Sequence, residues 1–506
     1  MTGAALATRV AAGLGDTRLV VVANREPYMH LKHERRPGLV GRLTGRKPST
    51  TLSWMQPASG LVTALDPVMR ACGGTWVAHG SGSGDRETAD AAGRVPVPPD
   101  DPSYTLRRVW LSSREEEGYY YGLANSALWP LCHIAYARPT FDEPDWREYV
   151  AVNRRFADTV IDEIGDEPAI VFVQDYHFAL VPRMVKSARP DAVVCQFWHI
   201  PWPNAEAFRI CPWREEILDG LLGNDLLAFH IQYHCNNFLE TVDRTLEARV
   251  DRDQFSVHRG GHRTFVKPFP ISIDPGLWTS VPNGREWTND VARTRRRLGV
   301  GDAKLVMGVD RLDYTKGIPE RLMAFERMLE RCPDWRGRVS MLQIGAPTRD
   351  RIGRYQALGI EVKAQVQAIN RRFGTARWTP VIYKHQHHTP EEVGACYRAA
   401  DVCVVSSLHD GMNLVAKEFV AARTDEQGVL MLSQFTGAAG AMADVVPVNP
   451  FAPDEFAAAI DEALRMPADE QRRRMHHLRE EVLSHTVYDW AGHLLAEATR
   501  LAGRRR

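Results

Sequence analysis

Short, continuous runs of Val, Ile, Leu and Phe alternate with amphipathic stretches of helical period along nearly the whole chain. In the first half the runs fall at 19–23, 75–78, 170–173, 193–197, 226–231 and 265–273; in the second half they fall at 305–309, 339–344, 381–383, 402–405, 429–432 and 445–448. Their positions are apolar in succession rather than in alternation, so they read as strands buried on both faces. Helical stretches between them predict parallel sheets wrapped by helices. No repeat with a period of about 20–50 residues is present.

The pattern breaks once, near 271–286, where P-I-S-I-D-P-G-L-W gives way to the polar V-P-N-G-R-E; a charged helical stretch follows at 287–298, and the next strand run opens at Leu305. A chain of 506 residues exceeds one core. The expected architecture is α/β: two doubly wound Rossmann-like domains whose strand C-termini face a central cleft. The expected boundaries are a loose extension 1–16, a first domain 17–280, a second domain 281–480, and a C-terminal helix 481–506 with a basic end. That helix either caps the second domain or crosses back to the first. Residues 27–56, rich in Arg, Lys, His, Gly and Pro, lack periodicity and are expected to form a mobile active-site loop.

Composition narrows the function classes. Lys+Arg and Asp+Glu balance at 63 each, which leaves no broad field for nucleic acid or an anionic membrane. No segment reaches the roughly 20 uncharged apolar residues of a membrane span, and residues 1–16 lack the pattern of a signal peptide. Eight scattered cysteines with no C-x-x-C pair suit reduced thiols in a cytoplasmic protein.

Candidate chemistry gathers where strand runs end. After 401–407 comes H-D-G-M-N-L-V-A-K-E-F, a glycine turn opening a helical stretch, with carboxylates at Asp410 and Glu418. A helix start suits a phosphate, and Asp410, Gly411, Met412, Asn413 and Leu414 could approach a nucleotide sugar, with Glu418 reaching ribose hydroxyls. The plainer alternative is an ordinary turn with two exposed acids. G-V-D-R-L-D-Y-T-K-G at 308–317 places Arg311 and Lys316 on the loop after a strand, where two cations could hold a diphosphate; alternatively they are a surface pair bonded to Asp310 or Asp313. V-Q-D-Y-H and F-W-H-I-P-W-P bring Asp175 and His199 to the ends of neighbouring runs, with a core histidine as the alternative for His199. Arg25 in A-N-R-E-P-Y could bind an acceptor phosphate, Gly60 opens another anion-friendly helix start, and Tyr119 and Arg349 could join Arg25. His385, His387 and His388 imply no complete metal site and read as exposed loop histidines.

These motifs, in this order, resemble the trehalose-6-phosphate synthase family of retaining glycosyltransferases, related to the glucosylglycerol-phosphate synthases. V-V-A-N-R, S-G-L, the Tyr run with S-A-L-W-P, Q-D-Y-H, H-I-P-W-P, V-D-R-L-D-Y-T-K-G and D-G-M-N-L-V-A-K-E-F span about 18–495. The resemblance implies a GT-B fold with the donor held mainly by the second domain. It implies donor contacts at Gly60, His199, Arg311, Lys316, His388, Asp410 to Val415 and Glu418, and acceptor contacts at Arg25, Tyr119, Trp129, Asp175 and Arg349. Arg311, Lys316, His199 and Asp410 would carry the catalysis. The implied reaction moves glucose from a nucleoside diphosphate glucose such as UDP-glucose to glucose 6-phosphate with retention, using no metal or other cofactor. Small molecules are the expected partners, and a homo-oligomer is left open. The chain departs from the family at Gln174, where histidine is usual, and at His409, where arginine is usual. Glycerol 3-phosphate or a cyclitol as acceptor, a non-catalytic sugar-phosphate sensor, and UDP against GDP or ADP stay open.

Overall fold

The structure is a computed structural model that describes residues 10, 13–15, 17–35, 49–57, 60–279 and 284–503. These residues fall into two compact units. Unit 1 holds Arg138–Phe269 together with the described residues before His133 and from Val487 onward; unit 2 holds His133–Ala137 and Pro270–Thr486.

In unit 1 the strands are β1 (Arg18–Ala23), β2 (Met29–Arg35), β3 (Ser49–Met55), β4 (Thr75–His79), β5 (Arg94–Val97), β6 (Tyr104–Val109), β7 (Ala169–Gln174), β8 (Val193–Phe197), β9 (Leu226–Phe229), β10 (Arg249–Asp251), β11 (Ser256–Arg259) and β12 (His262–Pro268). Ten of them form one sheet in the order β10-β11-β12-β9-β8-β7-β1-β4-β6-β5. The centre is parallel, with Leu19 beside Ile170 on one side and Val20 beside Thr75 on the other. Val20, Val21 and Val22 are wholly buried, as a strand covered on both faces requires. The chain runs outward from β1 through β4 to β6, then restarts at β7 and runs the other way through β8 to β9. The order therefore reverses between β1 and β7, the place where such sheets bind ligands.

Two expectations change in unit 1, and one alternative left open is decided. The 265–273 run is a strand only to Pro268, because Pro268 and Pro270 bring no N–H to a ladder. Residues 27–56 are not structureless: β2 and β3 pair antiparallel from Met29↔Met55 to Arg35↔Ser49, and 36–48 lie outside the described residues. Contacts remote in sequence fix this hairpin. The His30 N–H donates to Asp85 Oδ1 at 2.8 Å, and the Gly84 N–H donates to the His30 carbonyl at 2.9 Å. The C-terminal helix Val487–Gly503 belongs to unit 1, with Trp490 against Phe197 at 5.0 Å between ring centroids.

The main segment of unit 2 begins at Pro270, earlier than the expected break after 280. Its first residues are held there by Lys417, whose Nζ donates to the Ile271 carbonyl at 3.0 Å. Its strands are β13 (Lys304–Arg311), β14 (Val339–Ala346), β15 (Val381–Lys384), β16 (Val402–Val405), β17 (Val429–Ser433) and β18 (Val446–Val448), all parallel in the order β15-β14-β13-β16-β17-β18. β13 pairs with β14 from Lys304↔Val339 to Arg311↔Ala346, but with β16 only at Val306↔Val402 and Met307↔Cys403. Beyond Met307 the two part, which opens the switch point for the loops that follow.

A buried polar network closes the base of that opening. Arg321, on helix Ile318–Arg331, is wholly buried; its Nε donates to Ser406 Oγ at 3.0 Å, its Nη1 to Gln343 Oε1 at 2.9 Å, and its Nη2 lies 2.8 Å from Asp310 Oδ2. Ser406 Oγ donates in turn to the Gly317 carbonyl at 2.8 Å. Gly317 has φ +62°, and a Cβ there would sit 2.1 Å from the Ser406 carbonyl oxygen, so only glycine fits. The helix that starts here buries Ile318, Leu322, Phe325 and Leu329, one apolar face of a 3.6-residue period. Removing Arg321 takes from the buried Asp310 carboxyl its nearest cation and leaves Ser406 and Gln343 without their donor. Arg321→Met should destabilise the chain by about 3–5 kcal/mol in urea unfolding; a loss below about 1 kcal/mol contradicts this assignment.

Candidate active site

In unit 2, the loops after β13 and β16 bring Lys316 and Asp410 together across 94 positions of sequence. Lys316 Nζ donates to Asp410 Oδ2 at 2.5 Å. The same oxygen accepts from Asn413 Nδ2 at 3.1 Å and Ser407 Oγ at 3.2 Å. Burial alone would push the Asp410 carboxyl up, but the Lys316 charge and these donors hold it well below the usual carboxylate range. Asn413 adopts φ +82°, caps helix Leu414–Ala422 by accepting from the Ala416 N–H at 3.3 Å, and ties the cap to Asp410. Leu414 and Val415 open that helix, so their N–H groups have no carbonyl four residues back. The turn is seated on a second glycine loop: the Gly437 N–H donates to the Asp410 carbonyl, and a Cβ on Gly437 would lie 2.0 Å from the Gly411 carbonyl oxygen.

The two cations of the β13 loop differ in their surroundings: Arg311 acts on the buried Asp313 carboxyl, as the plainer alternative had it, whereas the Lys316 ammonium bonds to neither acid of its own loop. Lys316 is bonded to Asp410 rather than to Asp310 or Asp313, and Arg311 remains half-buried at the end of β13. Asp313 is wholly buried; it accepts from the Thr315 N–H and Oγ1, both at 3.0 Å, and from Arg349 Nη1 at 3.1 Å. Arg349, at φ +52°, also donates to Tyr355 Oη at 2.6 Å, so it is anchored inside unit 2. Glu418 is not a solvated helix acid: its Oε2 accepts from Tyr397 Oη at 3.0 Å, and burial pushes it up to about 7 against that bond. His409 donates from Nδ1 to the His133 carbonyl at 2.7 Å, and burial pushes its pKa down, which favours a neutral ring. His388 makes no bond to these residues. Contrary to the reading of three exposed loop histidines, its side chain is 7% exposed and held by Glu392 at 2.9 Å, beside the helix cap at Thr389; His385 and His387 are exposed.

In unit 1, Arg25 follows β1, Asp175 follows β7 and His199 follows β8, all at the strand ends around the switch point. Asp175 is at φ +71° and its Oδ1 accepts from the Tyr176 N–H at 2.9 Å and the His199 N–H at 3.1 Å, so these two predicted residues do meet. A cavity of about 240 Å³ is lined by Asn24, Arg25, Glu26, His79, Ser81 and Tyr119 among others. Tyr119, on a π-helix at Glu117–Leu128, is wholly buried and donates to Asn24 Oδ1 at 3.0 Å. The Arg25 side chain is exposed, with no hydrogen-bond or ion-pair partner among the described residues. Trp129 is buried against Tyr176, with ring centroids 5.9 Å apart, and Gly60 is the first residue of helix Gly60–Cys72.

Several residues of this cavity's wall were not anticipated. Glu26 is buried and accepts from Arg108 Nε at 2.8 Å and from the Ser81 N–H at 3.1 Å; burial and the neighbouring Asp85 carboxyl push it well up. Arg108 also lies 2.9 Å from Asp85. Charged residues within an otherwise ordinary strand and turn give no signal of such a network.

Two Rossmann-like units, each with polar side chains collected where its strand order reverses, define a nucleotide-sugar transferase of the GT-B class. The chain belongs to glycosyltransferase family 20, which it matches over residues 17–500. It is 39% identical, over 490 residues and 95% of each chain, to a trehalose-6-phosphate synthase of Mycobacterium sp. (strain JLS). It is also similar to a solved trehalose-6-phosphate structure from E. coli bound with UDP-2-fluoro glucose, with TM-score 0.82, 28% identity, and coverage of 96% of this chain and 99% of that one. An alpha,alpha-trehalose-phosphate synthase (UDP-forming) from Burkholderia xenovorans in complex with glucose-6-phosphate gives TM-score 0.81 and 28% identity, over 95% of this chain and 99% of that one.

The raised Glu418 gives a pH dependence of stability. A carboxyl favoured in its protonated form by folding contributes fully below its ordinary value of 4.5 and loses that contribution as pH rises through about 7. Glu418→Gln removes the titration, so its stability relative to the parent should rise between about pH 5 and about pH 8 in urea unfolding. The same difference at both pH values contradicts a buried, raised Glu418.

Proposed function

We propose that this chain transfers glucose from a nucleoside diphosphate glucose to glucose 6-phosphate with retention, giving trehalose 6-phosphate. The observation that carries the reading is the Lys316–Asp410–Asn413 cluster at the unit 2 switch point of a family 20 chain. The relatives named above, one bound with UDP-2-fluoro glucose and one with glucose-6-phosphate, support the same substrates.

In this reading the donor diphosphate is held by Arg311, Lys316 and the N–H groups at the start of helix Leu414–Ala422. Lys316 has three N–H donors, so it keeps Asp410 with one and offers the others to phosphate oxygens. Arg311 adds a planar fork. Asp410, fixed as a carboxylate, accepts hydrogen bonds from donor-sugar hydroxyls, and Gly411 lets the backbone come close. Glu418 is assigned to the ribose, and His388 to the region of the base. Gly60 and His199 complete the donor contacts. Arg25, Tyr119, Asp175, Trp129 and Arg349 are assigned to the acceptor. Arg25 has no side-chain hydrogen-bond or ion-pair partner among the described residues, which suits it to a phosphate. Arg349, already paired with Asp313, would serve through its remaining N–H groups.

No side chain is assigned as a covalent nucleophile. The acceptor hydroxyl attacks the anomeric carbon on the face from which the diphosphate departs. That bond to the diphosphate oxygen breaks, and the hydroxyl proton passes to the departing phosphate. Fixed cations matter because they stabilise charge where it develops on the leaving group. The reading assigns no metal or other cofactor, since Arg311, Lys316 and the helix start supply the neutralisation. No helix among the described residues is long and apolar enough to cross a membrane, and eight free thiols suit the reducing cytoplasm.

The test is to incubate the purified chain with UDP-, GDP- or ADP-glucose and, separately, glucose 6-phosphate, glycerol 3-phosphate or water. Glucose 6-phosphate should be the acceptor converted, and Arg311→Ala should lower turnover about tenfold to a hundredfold, the worth of one charge-assisted hydrogen bond. No transfer to any acceptor, or an Arg311→Ala chain equal to the parent, overturns the reading. Arg25→Ala should raise KM for glucose 6-phosphate by a similar factor and leave KM for the donor near the parent value; equal losses for both contradict its assignment.

A further inference from the structure

Gln174 closes β7 and is 1% exposed. Its Oε1 lies 3.0 Å from Nε2 of His199. Among the described residues Nδ1 of His199 has no hydrogen-bond partner, and the residue as a whole is half-buried. The rest of His199 is fixed: its N–H donates to Asp175 Oδ1 at 3.1 Å, and its carbonyl accepts from His230 Nε2 at 3.0 Å. The ring packs on Phe197, with centroids 4.5 Å apart, and faces Trp490 at 6.2 Å. Every constraint on this histidine except the choice of tautomer comes from backbone or ring packing. The tautomer is chosen by the group facing Nε2, which is Gln174.

We propose that Gln174 is a positioning residue that keeps the proton of His199 on Nε2 and so presents Nδ1 as a hydrogen-bond acceptor, selecting a substrate hydroxyl at that point. An amide oxygen accepts and cannot donate, so it fixes Nε2–H; the other ring nitrogen then carries the lone pair. Unlike histidine, glutamine does not titrate, so this choice holds across the physiological pH range. The surroundings agree with a neutral ring. Burial and then the charge of His177 push His199 down to about 3; Asp175 accepts from its N–H, and His230 both bonds its carbonyl and sets its ring edge-on to the His199 ring, with centroids 5.8 Å apart. Helix Val487–Gly503 presents the uncharged Trp490. The opposite orientation of the Gln174 amide would turn the ring to Nδ1–H and select an acceptor on the substrate instead.

The inference deepens the proposed function and rests on it for the word substrate; the tautomer itself is measurable without turnover. Full-length chain labelled with ¹⁵N-histidine, with His199→Asn to assign the signal, should show a pyridine-type Nδ1 and a pyrrole-type Nε2, unchanged between about pH 8 and about pH 6. Gln174→Glu should give an imidazolium, because a carboxylate facing Nε2 favours the charged ring. Its kcat/KM should fall about tenfold as pH drops over that range, with the parent showing no such step. Gln174→Met, which keeps the volume and removes the acceptor, should give averaged ¹⁵N shifts and an intermediate loss. An Nδ1–H tautomer in the parent, or His199 signals and pH profiles unaltered in both folded variants, overturns the proposal. If the parent transfers no glucose but shows the Nε2–H form fixed by Gln174, the positioning role stands and the functional reading falls.

Discussion

Lys316 keeps Asp410 ionised in a place where burial by itself would neutralise it, and the candidate site of unit 2 depends on that pair. The pairing of a buried acid with a cation, though not always its ionisation, repeats along the same loop: burial still pushes Asp310 up, whereas Asp313 is held down. Asp310 faces Arg321, and Asp313 faces Arg349. Each acid that the end of β13 and the turn after β16 bring inside is matched by one cation from another segment. A buried charge left without its partner costs several kcal/mol, so the loops hold their shape as a set rather than one residue at a time. Gly317 and Gly437 allow the backbones of these loops to approach as closely as the pairing demands. The consequence is a cation, a carboxylate and a helix start in fixed relation, with Lys316 still able to donate to an anion.

Unit 1 solves a different problem. Its corresponding strand ends carry a neutral imidazole and a strained aspartate rather than matched charges. Asp175 takes φ +71° to place its carboxylate on the His199 N–H, and Gln174 beside it takes the ring nitrogen. Sparsely populated backbone conformations persist where the surroundings over-determine them, and they gather at functional sites. Glu26 and Arg108 stiffen the wall of the cavity that Arg25 borders, leaving Arg25 itself exposed.

Much of this was legible in the sequence, for one physical reason: a strand covered on both faces must be apolar throughout, so runs such as 19–23 and 402–405 announce themselves. The candidate site residues Arg25, Asp175, His199, Arg311 and Asp410 stand at or just beyond the ends of those runs, which makes them legible as candidates. The hairpin of β2 and β3 was missed because M-H-L-K-H-E-R and S-T-T-L-S-W-M are polar and weakly patterned; Asp85 and Gly84 hold it from more than fifty positions away. The unit boundary was misplaced because Lys417, 146 positions on, decides where 270–273 belong. Arg321 and Glu26 gave no signal, since a buried charge looks like any surface charge until its partner is known. His388 reads as exposed because the run K-H-Q-H-H is polar; its bond to Glu392, four residues on, holds it in.

The account turns on Lys316 serving the donor's diphosphate while bonded to Asp410. Calorimetric titration of UDP and of glucose 6-phosphate into the parent and into Lys316→Ala tests this directly. Lys316→Ala should weaken UDP by about tenfold or more, as loss of a charge-assisted bond predicts, with glucose 6-phosphate bound as in the parent. Equal UDP affinity in the two chains would contradict the account.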